Sequence, residues 1–394
     1  MARKAITGNG AIALALKQVE PDVMAAYPIT PQTEIAQNYA QFVADGAVKT
    51  EYIPVESEHS AMSAAIGSCA AGARTITATS SQGFALMWEM LFIAASLRLP
   101  LTMPVITRAL SGPINIHCDH SDSMGGRDCG WIQLYGEDGQ EGYDNAIQAF
   151  RIAEHMDVRL PVMTMIDGFI ISGAIGPVET LPDAEVKKFV GDYTALNPLL
   201  NVENPVTIGA FDSLGGWYFE HKVAQNRAME NAMKVIEEVG AEYGKLSGRA
   251  YSHFKTHQIE DAEIVLVAIG SAAGNVKTMV DTLRAEGKKV GMLKVRTFRP
   301  FPYEQIRAAL SGAKVIGVMD RSDSYGAQGG PLFTEISAAM FGGDTRPKMF
   351  NFIYGLGGRD IFPDDIRGAV ETLEQAAAGE QVSQTRHYLN VREG

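Results

Sequence analysis

Cysteine is scarce in this chain. Three occur in 394 residues, Cys69, Cys118 and Cys129, and no two stand in a C-x-x-C pair. Neither a structural zinc site nor an iron–sulfur cluster can be built from them. Cys69 lies among small residues and is expected to be a buried small hydrophobe. Long apolar runs are missing too; no stretch approaches the roughly 18 residues of a membrane span. Positive charge is in deficit, with 34 Lys and Arg against 46 Asp and Glu and a net charge of −12. That sign argues against nucleic acid and against an anionic membrane as partners. The glycine-rich residues 324–330 contain no lysine, which excludes a Walker phosphate loop. Gly355-Leu356-Gly357-Gly358 lacks the full G-x-G-x-x-G of a dinucleotide site. The opening MARKAITGNGAIALALK is broken by Gly8-Asn9-Gly10 and has no A-x-A site after it. We read it as a mature, cytoplasmic N-terminus.

What is present is an α/β composition. Hydrophobic residues make up 46%, charged residues 20%, and there are 40 glycines. The length predicts two or three domains. Residues 52–83 organise the rest. Tyr52-Ile53-Pro54-Val55 reads as a short strand, and Glu56-Ser57-Glu58-His59 places acid and hydroxyl groups at a helix start. The positive end of the helix macrodipole favours a carboxylate there. Residues 60–73 are almost all small and show no polar face, so this helix is expected to be buried on all sides. Residues 74–79 read as a β-branched strand. It leads into the polar turn Ser80-Ser81-Gln82-Gly83, followed by an apolar helix over 84–97. A carboxylate and a polar turn at the ends of adjacent elements mark the place where parallel sheets bind ligands.

Other stretches point to the same edge. Val23 to Ala26 reads as a strand, and Tyr27-Pro28-Ile29-Thr30-Pro31 ends it. The pattern predicts Thr30 as a helix N-cap with Pro31 at the first helical position. A rigid hydroxyl at a strand end is also a good ligand contact. Arg108 is the first charge after the apolar strand 101–107, and it reads either as a solvated strand end or as an anion contact on the same edge. Residues 109–145 are expected to be a long irregular loop, a feature that is usually functional. His117, Asp119, His120 and Asp122 have the residue types of a metal site, but alternation along an extended chain splits them between faces. We read them as hydrogen-bonded loop packing, with no metal. Residues 219–243 read as one long helix in a polar arm over the surface. A second α/β unit begins near Ala262, with strands expected over 264–269, 289–295, 314–319 and 350–354. The chain from about Ala376 reads as a polar tail.

The combination YPITP (27–31), ESEH (56–59), TSSQG (79–83), a strand ending in Arg108 and GPINIHCDHSDSMGGRDCGWIQ (112–133) resembles the α subunits of the 2-oxoacid:ferredoxin oxidoreductases, those of the pyruvate:ferredoxin oxidoreductase (pyruvate synthase) type in particular. KVRTFRPFP (294–302), DRSDSYGAQGGPL (320–332) and GLGGRDI (355–361) extend the resemblance over roughly residues 5–370. It implies an α/β chain with a thiamine-diphosphate pyrimidine-binding type parallel-sheet domain over 1–240, including a polar helical arm from about 182. A linker over 241–261, a transketolase C-terminal-like α/β domain over 262–375 and a tail over 376–394 would follow.

The resemblance also implies a reaction: oxidative decarboxylation of pyruvate with CoA to acetyl-CoA and CO2, with electrons passed to ferredoxin. The same chemistry on a branched-chain 2-oxoacid or on 2-oxoglutarate is the alternative. A non-catalytic scaffold subunit is a more distant one, and YPITP and GPINIHCDHSD argue against a transketolase or dehydrogenase-complex subunit. Glu58 matches the family's catalytic glutamate, which contacts N1′ of the cofactor's aminopyrimidine ring. Thr30 and Arg108 match its substrate-binding residues. Pro28, Ile29, Ser81, Gln82 and Gly83 would line the cofactor cleft with Glu58. The family's diphosphate site holds its metal through a G-D-G motif, and no G-D-G occurs here. The resemblance therefore implies that this chain carries only the pyrimidine half of a thiamine diphosphate site. Mg2+ and 4Fe–4S clusters would lie on partner chains of β, γ and δ type.

Overall fold

Residues 102–107 and 162–167 are near-continuous runs of Val, Ile, Met and Thr, buried along their whole length. That pattern belongs to parallel strands with helices on both faces. In the computed structural model, which describes residues 1–209 and 211–392, they form the centre of a seven-stranded sheet. Its order is Thr297–Arg299, Ile132–Tyr135, Val162–Asp167, Thr102–Thr107, Thr75–Ile76, Val23–Ala26, Glu51–Pro54. All neighbours run parallel except the first pair. Helices Gly8–Val19 and Gly139–Glu154 cover one face through Ile12, Leu16, Ile147 and Phe150. Helices Glu58–Ala71 and Trp88–Ser96 cover the other through Met62, Ile66 and Leu91.

A six-stranded sheet follows, in the order Arg386–Tyr388, Lys348–Ile353, Val315–Asp320, Ile264–Ile269, Val290–Val295, Phe254–His257. It is parallel except at Phe254–His257. The two sheets share one core, since Met62, Leu91 and Tyr135 lie in the same apolar cluster as Val267, Leu293 and Ile316. A two-stranded antiparallel pair, Ala2–Thr7 with Ile175–Thr180, completes the sheets of the described residues.

The long helix is Tyr218–Ser247. It buries Ala228, Ala232, Val235, Ile236, Val239 and Tyr243, a helical spacing that yields one apolar stripe. Asp144 ties it down by accepting from the hydroxyls of Tyr243 and Tyr251, each at 2.6 Å, and from Arg249 Nε at 2.7 Å.

Several expectations are overturned. The helix Glu58–Ala71 is not buried on all sides; Met62, Ala65, Ile66 and Cys69 face the core, whereas Gly67 is exposed and Ser63, Ala64 and Ser68 are half-buried. Small residues look alike on both faces, so composition could not separate them. The strand expected over 74–79 shrinks to Thr75–Ile76, with an isolated bridge from Thr79 to Val105. The apolar helix over 84–97 is two helices, Ser81–Leu86 and Trp88–Ser96. The stretch 109–145 is not one loop: it contains the short helix Ser121–Gly125, the buried strand Ile132–Tyr135 and the start of helix Gly139–Glu154. Asp138, read as a loop residue, is that helix's N-cap and accepts from the Glu141 N–H at 2.8 Å. In the stretch expected as a linker, Phe254–His257 is an edge strand. In the expected tail, Arg386–Tyr388 pairs with Lys348–Ile353, and residues 393–394 lie outside the described residues.

Candidate functional site

Four adjacent parallel strands, Thr102–Thr107, Thr75–Ile76, Val23–Ala26 and Glu51–Pro54, end at one edge of the large sheet. The segments that leave them carry Arg108, Ser81-Gln82-Gly83, Thr30 and Glu58. Parallel register alone brings these distant residues to one place.

Glu58 is the first residue of helix Glu58–Ala71, behind an N-cap in which Ser57 Oγ accepts from the Ser60 N–H at 3.2 Å. Its side chain is buried, at 7% exposure. The Ser80–Gly83 turn lies directly on this carboxylate. A Cβ placed on Gly83 would stand 2.7 Å from Glu58 Oε1 and 2.5 Å from Thr79 Oγ1, so the approach requires glycine. Thr79 Oγ1 and Ser80 Oγ, in the same corner, are buried without a hydrogen-bond partner among the described residues.

Ser81 adopts φ 44°, in the left-handed region that non-glycine residues avoid. Two contacts hold it there: its N–H donates to Asp122 Oδ2 at 2.8 Å and its Oγ to the Ala109 carbonyl at 2.5 Å. Gln82 Oε1 lies 2.7 Å from the same Ser81 Oγ, and Gln82 Nε2 donates to Ser111 Oγ at 2.8 Å.

Asp122 is the organising residue that the sequence reading missed. Fully buried, it accepts from the Ser81 N–H, from the Arg108 N–H at 3.0 Å and from the Ser123 N–H at 2.6 Å. Burial pushes its carboxyl up to about 7, against the pull of those three donors. Its place among metal-like residue types was visible, but its distance from two strand ends was not.

Arg108 is 6% exposed. Nη1 donates to the Thr30 carbonyl at 2.9 Å and Nε to the Asn115 carbonyl at 3.3 Å. Among the described residues, Nη2 has no protein partner. Burial lowers the guanidinium pKa, and the charges of Asp122 and Glu58 oppose that shift. Arg108 is therefore no solvated strand end.

Thr30 does not cap a helix. The next helix starts at Thr33, with Gln32 in the cap position and no side-chain capping bond. Thr30 is exposed, in one turn with exposed Pro28 and half-buried Ile29. That turn is held by Asn9 Nδ2 donating to the Pro31 carbonyl at 2.8 Å and by the Ile29 N–H donating to Gln32 Oε1 at 3.3 Å.

The metal-like residues of the 109–145 stretch have different partners, set by the helix Ser121–Gly125 rather than by alternation along an extended chain. His117 faces Phe169 with ring centroids 5.3 Å apart, Asp119 accepts from Ser121 Oγ, and His120 Nε2 donates to Asp167 Oδ1, 2.8 Å away. Cys118, His120 and Asp167 do bring ligand-type atoms within 4.8 Å of one another. However, Asp167 Oδ2 is already engaged by Arg321 Nη1 at 3.0 Å and Ser271 Oγ at 2.5 Å. Burial would raise the Asp167 pKa, yet His120 and Arg321 hold it well below the ordinary carboxylate range. A resident guanidinium repels a cation, so the cluster is a hydrogen-bonded joint between the sheets.

Comparison with known proteins bears on this geometry. The family described as pyruvate flavodoxin/ferredoxin oxidoreductase, thiamine diphosphate-binding, matches residues 14–241, and pyruvate:ferredoxin oxidoreductase core domain II matches residues 262–366. Pyruvate synthase subunit PorA of Thermotoga maritima is 54% identical over 391 residues, covering 99% of this chain and 98% of that one. Ketoisovalerate oxidoreductase subunit VorA of Pyrococcus abyssi is 44% identical over 375 residues, covering 95% and 94%. The solved 2-oxoglutarate:ferredoxin oxidoreductase from Magnetococcus marinus has a TM-score of 0.72 at 21% identity, covering 94% of this chain and 65% of that one; this likeness speaks to the fold.

Proposed function

This chain belongs to the pyruvate flavodoxin/ferredoxin oxidoreductase family, and from that premise we propose that its sheet edge is the pyrimidine half of a thiamine diphosphate site with a 2-oxoacid anchor beside it. The chain acts as the α-type subunit of a 2-oxoacid:ferredoxin oxidoreductase, with pyruvate as the 2-oxoacid and acetyl-CoA and CO2 as products. Thiamine diphosphate, when bound, supplies the carbanion and electron-sink chemistry.

The donor set fits one half of that cofactor. Glu58 is a buried carboxylate able to share a proton with a pyrimidine ring nitrogen, and the Gly83 backbone against it keeps water from that exchange. Pro28, Ile29, Ser81, Gln82 and Gly83 line the same side. Arg108 offers its unengaged Nη2 to the 2-oxoacid carboxylate, and a planar guanidinium suits that ligand. Thr30, whose carbonyl accepts from Arg108 Nη1, would offer its hydroxyl as a second donor. The sequence has no G-D-G motif for a diphosphate-bound metal. We therefore assign Mg2+ with the diphosphate half, and the 4Fe–4S clusters that deliver electrons to ferredoxin, to partner chains of β, γ and δ type. No helix among the described residues is long and apolar enough to cross a membrane, and we place the complex in the cytoplasm.

The observation that carries this reading is the meeting of Glu58 and Arg108, fifty positions apart, at one edge of a parallel sheet. The test is CO2 release and ferredoxin reduction by the assembled complex, supplied in turn with pyruvate, 2-oxoisovalerate and 2-oxoglutarate. Pyruvate should give the highest kcat/KM. A preference for 2-oxoisovalerate would assign the chain instead to the substrate class of its VorA relative.

A further inference from the structure

The pose of Arg108 depends on the second sheet. After strand Lys348–Ile353 the chain turns through Gly355, Gly357 and Gly358, with φ of 67°, 62° and 81°. All three lie in the left-handed region where glycine alone is unstrained. This turn grips the segment 115–120 of the first sheet's site. Asn115 Nδ2 donates to the Gly357 carbonyl at 2.9 Å, and the Gly357 N–H donates to Asp119 Oδ2 at 3.1 Å. Approach is close enough that a Cβ on Gly357 would stand 2.5 Å from Asn115 Nδ2, and one on Gly358 would collide with the Cβ of His117. Arg321, at the end of the neighbouring strand, accepts the His120 N–H on its carbonyl at 2.8 Å and reaches the Gly355 carbonyl with Nε at 3.4 Å. On its other side Asn115 braces its own segment, taking the His117 N–H on Oδ1 at 2.8 Å, and its carbonyl is the acceptor for Arg108 Nε.

We propose that the glycine turn 355–358 is a clasp that sets Arg108 for the 2-oxoacid through Asn115, and that Asn115, Gly357 and Gly358 are positioning residues for that substrate. The inference rests on the reading of Arg108 as the 2-oxoacid anchor. An arginine reaches its pose through a long flexible stem. Two fixed carbonyl acceptors, Thr30 on Nη1 and Asn115 on Nε, restrict the guanidinium and leave Nη2 free. The Thr30 acceptor lies in the turn that leaves strand Val23–Ala26 of the large sheet. The Asn115 acceptor is held in place from the second sheet. The bland alternative is a weld: the glycines simply join two halves of the chain, and Arg108 is a bystander. A weld loosens stability, whereas a positioning device changes one Michaelis constant and not another.

The experiment is a double-mutant cycle in the assembled enzyme. Asn115→Asp keeps the acceptor for the His117 N–H but turns an oxygen toward the Gly357 carbonyl, and Asn115 is only half-buried, so folding should survive. Loss of one such hydrogen bond with repulsion in its place should raise the 2-oxoacid KM about tenfold, with the KM for CoA unchanged. In an Arg108→Lys background, where the Nε bond to the Asn115 carbonyl is already lost, Asn115→Asp should add less than about twofold, because coupled residues are non-additive. Gly358→Ala probes the other end of the clasp and should reproduce the selective KM rise. An equal factor in both backgrounds, or an unchanged 2-oxoacid KM with a lowered melting temperature, overturns the clasp and leaves the weld. If Arg108→Lys itself leaves the 2-oxoacid KM untouched, the anchor reading falls and the clasp falls with it.

Discussion

Glu58 and Asp122 are both buried carboxylates at one sheet edge, and their surroundings separate their tasks. Asp122 spends its oxygens on three backbone N–H groups, of Ser81, Arg108 and Ser123, and so fixes the turn and the strand end on either side of it. Glu58 has no such partner among the described residues, which leaves it free for a ligand. Glu58→Gln is nearly isosteric and should keep the fold. It should lower turnover by about 10²–10⁴-fold, the usual worth of positioned acid–base assistance. C2 proton exchange of bound cofactor in the assembled complex is the direct measure. Exchange at the wild-type rate would leave Glu58 with nothing more than a favourable place at a helix N-terminus.

At the scale of elements, the Ser80–Gly83 turn is the part most exposed to small changes. It is pinned by Asp122 and by the Ala109 carbonyl, and it rests on Glu58 with no room for a methyl group. Gly83→Ala gains up to about 1 kcal/mol of helix propensity but meets two side chains, and overpacking of this kind costs about 1–3 kcal/mol. We expect a net loss of about 1–2 kcal/mol in thermal unfolding. A larger fall in activity should accompany it, because the group displaced is the Glu58 side chain. Unchanged stability with full activity would show that the turn does not press on Glu58. Legibility at this scale was uneven. The strands over 23–26 and 264–269 and the long helix could be read because periodicity and β-branching agreed with burial. Ile132–Tyr135 could not, because Gly, Asp and Ser crowd around a strand only four residues long. Its burial comes from its neighbours, with Gln133 Nε2 donating to the Ser123 carbonyl and Trp131 Nε1 to that of Leu91.

In the whole molecule the two sheets share a core, and buried polar groups bridge them. His253 is one. Its carbonyl accepts the N–H groups of Arg296 and Thr297, and its Nε2 meets the Met233 carbonyl of the long helix at 3.0 Å. Burial, and then the charge of Arg296, lower its pKa to about 4, although Glu237 lies 3.6 Å away. A histidine with a depressed folded-state pKa contributes stability that is fully present above its unfolded value of 6.5 and is lost as pH falls through 4. The shift corresponds to about 3 kcal/mol. Wild type should lose about that much against His253→Gln between neutral pH and pH 4 in urea unfolding; parallel curves would place the ring in a wetter setting. The whole chain also bears on the cofactor. Most of the charge of thiamine diphosphate is in its diphosphate, and on the reading proposed above this chain contributes only to the pyrimidine side. Calorimetry of the isolated chain with cofactor and Mg2+ should show binding weaker than micromolar, tightening when the partner with the diphosphate motif is added. Micromolar or tighter binding without a partner would overturn the split site.

The amino-acid sequence by itself determined the class of the fold and the family, and it singled out most of the residues we propose for the site. Those depend on local chemistry: β-branched runs, a carboxylate at a helix start, a turn of Ser, Gln and Gly, and an arginine closing an apolar strand. Only the tertiary structure decided what each residue does for the others. Thr30 changes from a helix cap to the carbonyl that holds Arg108, and Asp122 from a metal-like loop acid to the tie beneath the site. The glycines of 355–358 change from a failed dinucleotide motif to the grip on Asn115. The physical reason is range. Propensity and periodicity act over a few residues, whereas Asn115 and Gly357 meet across 242 positions. A hydrogen bond at that separation is set by the register of two sheets, which neither stretch of sequence records alone.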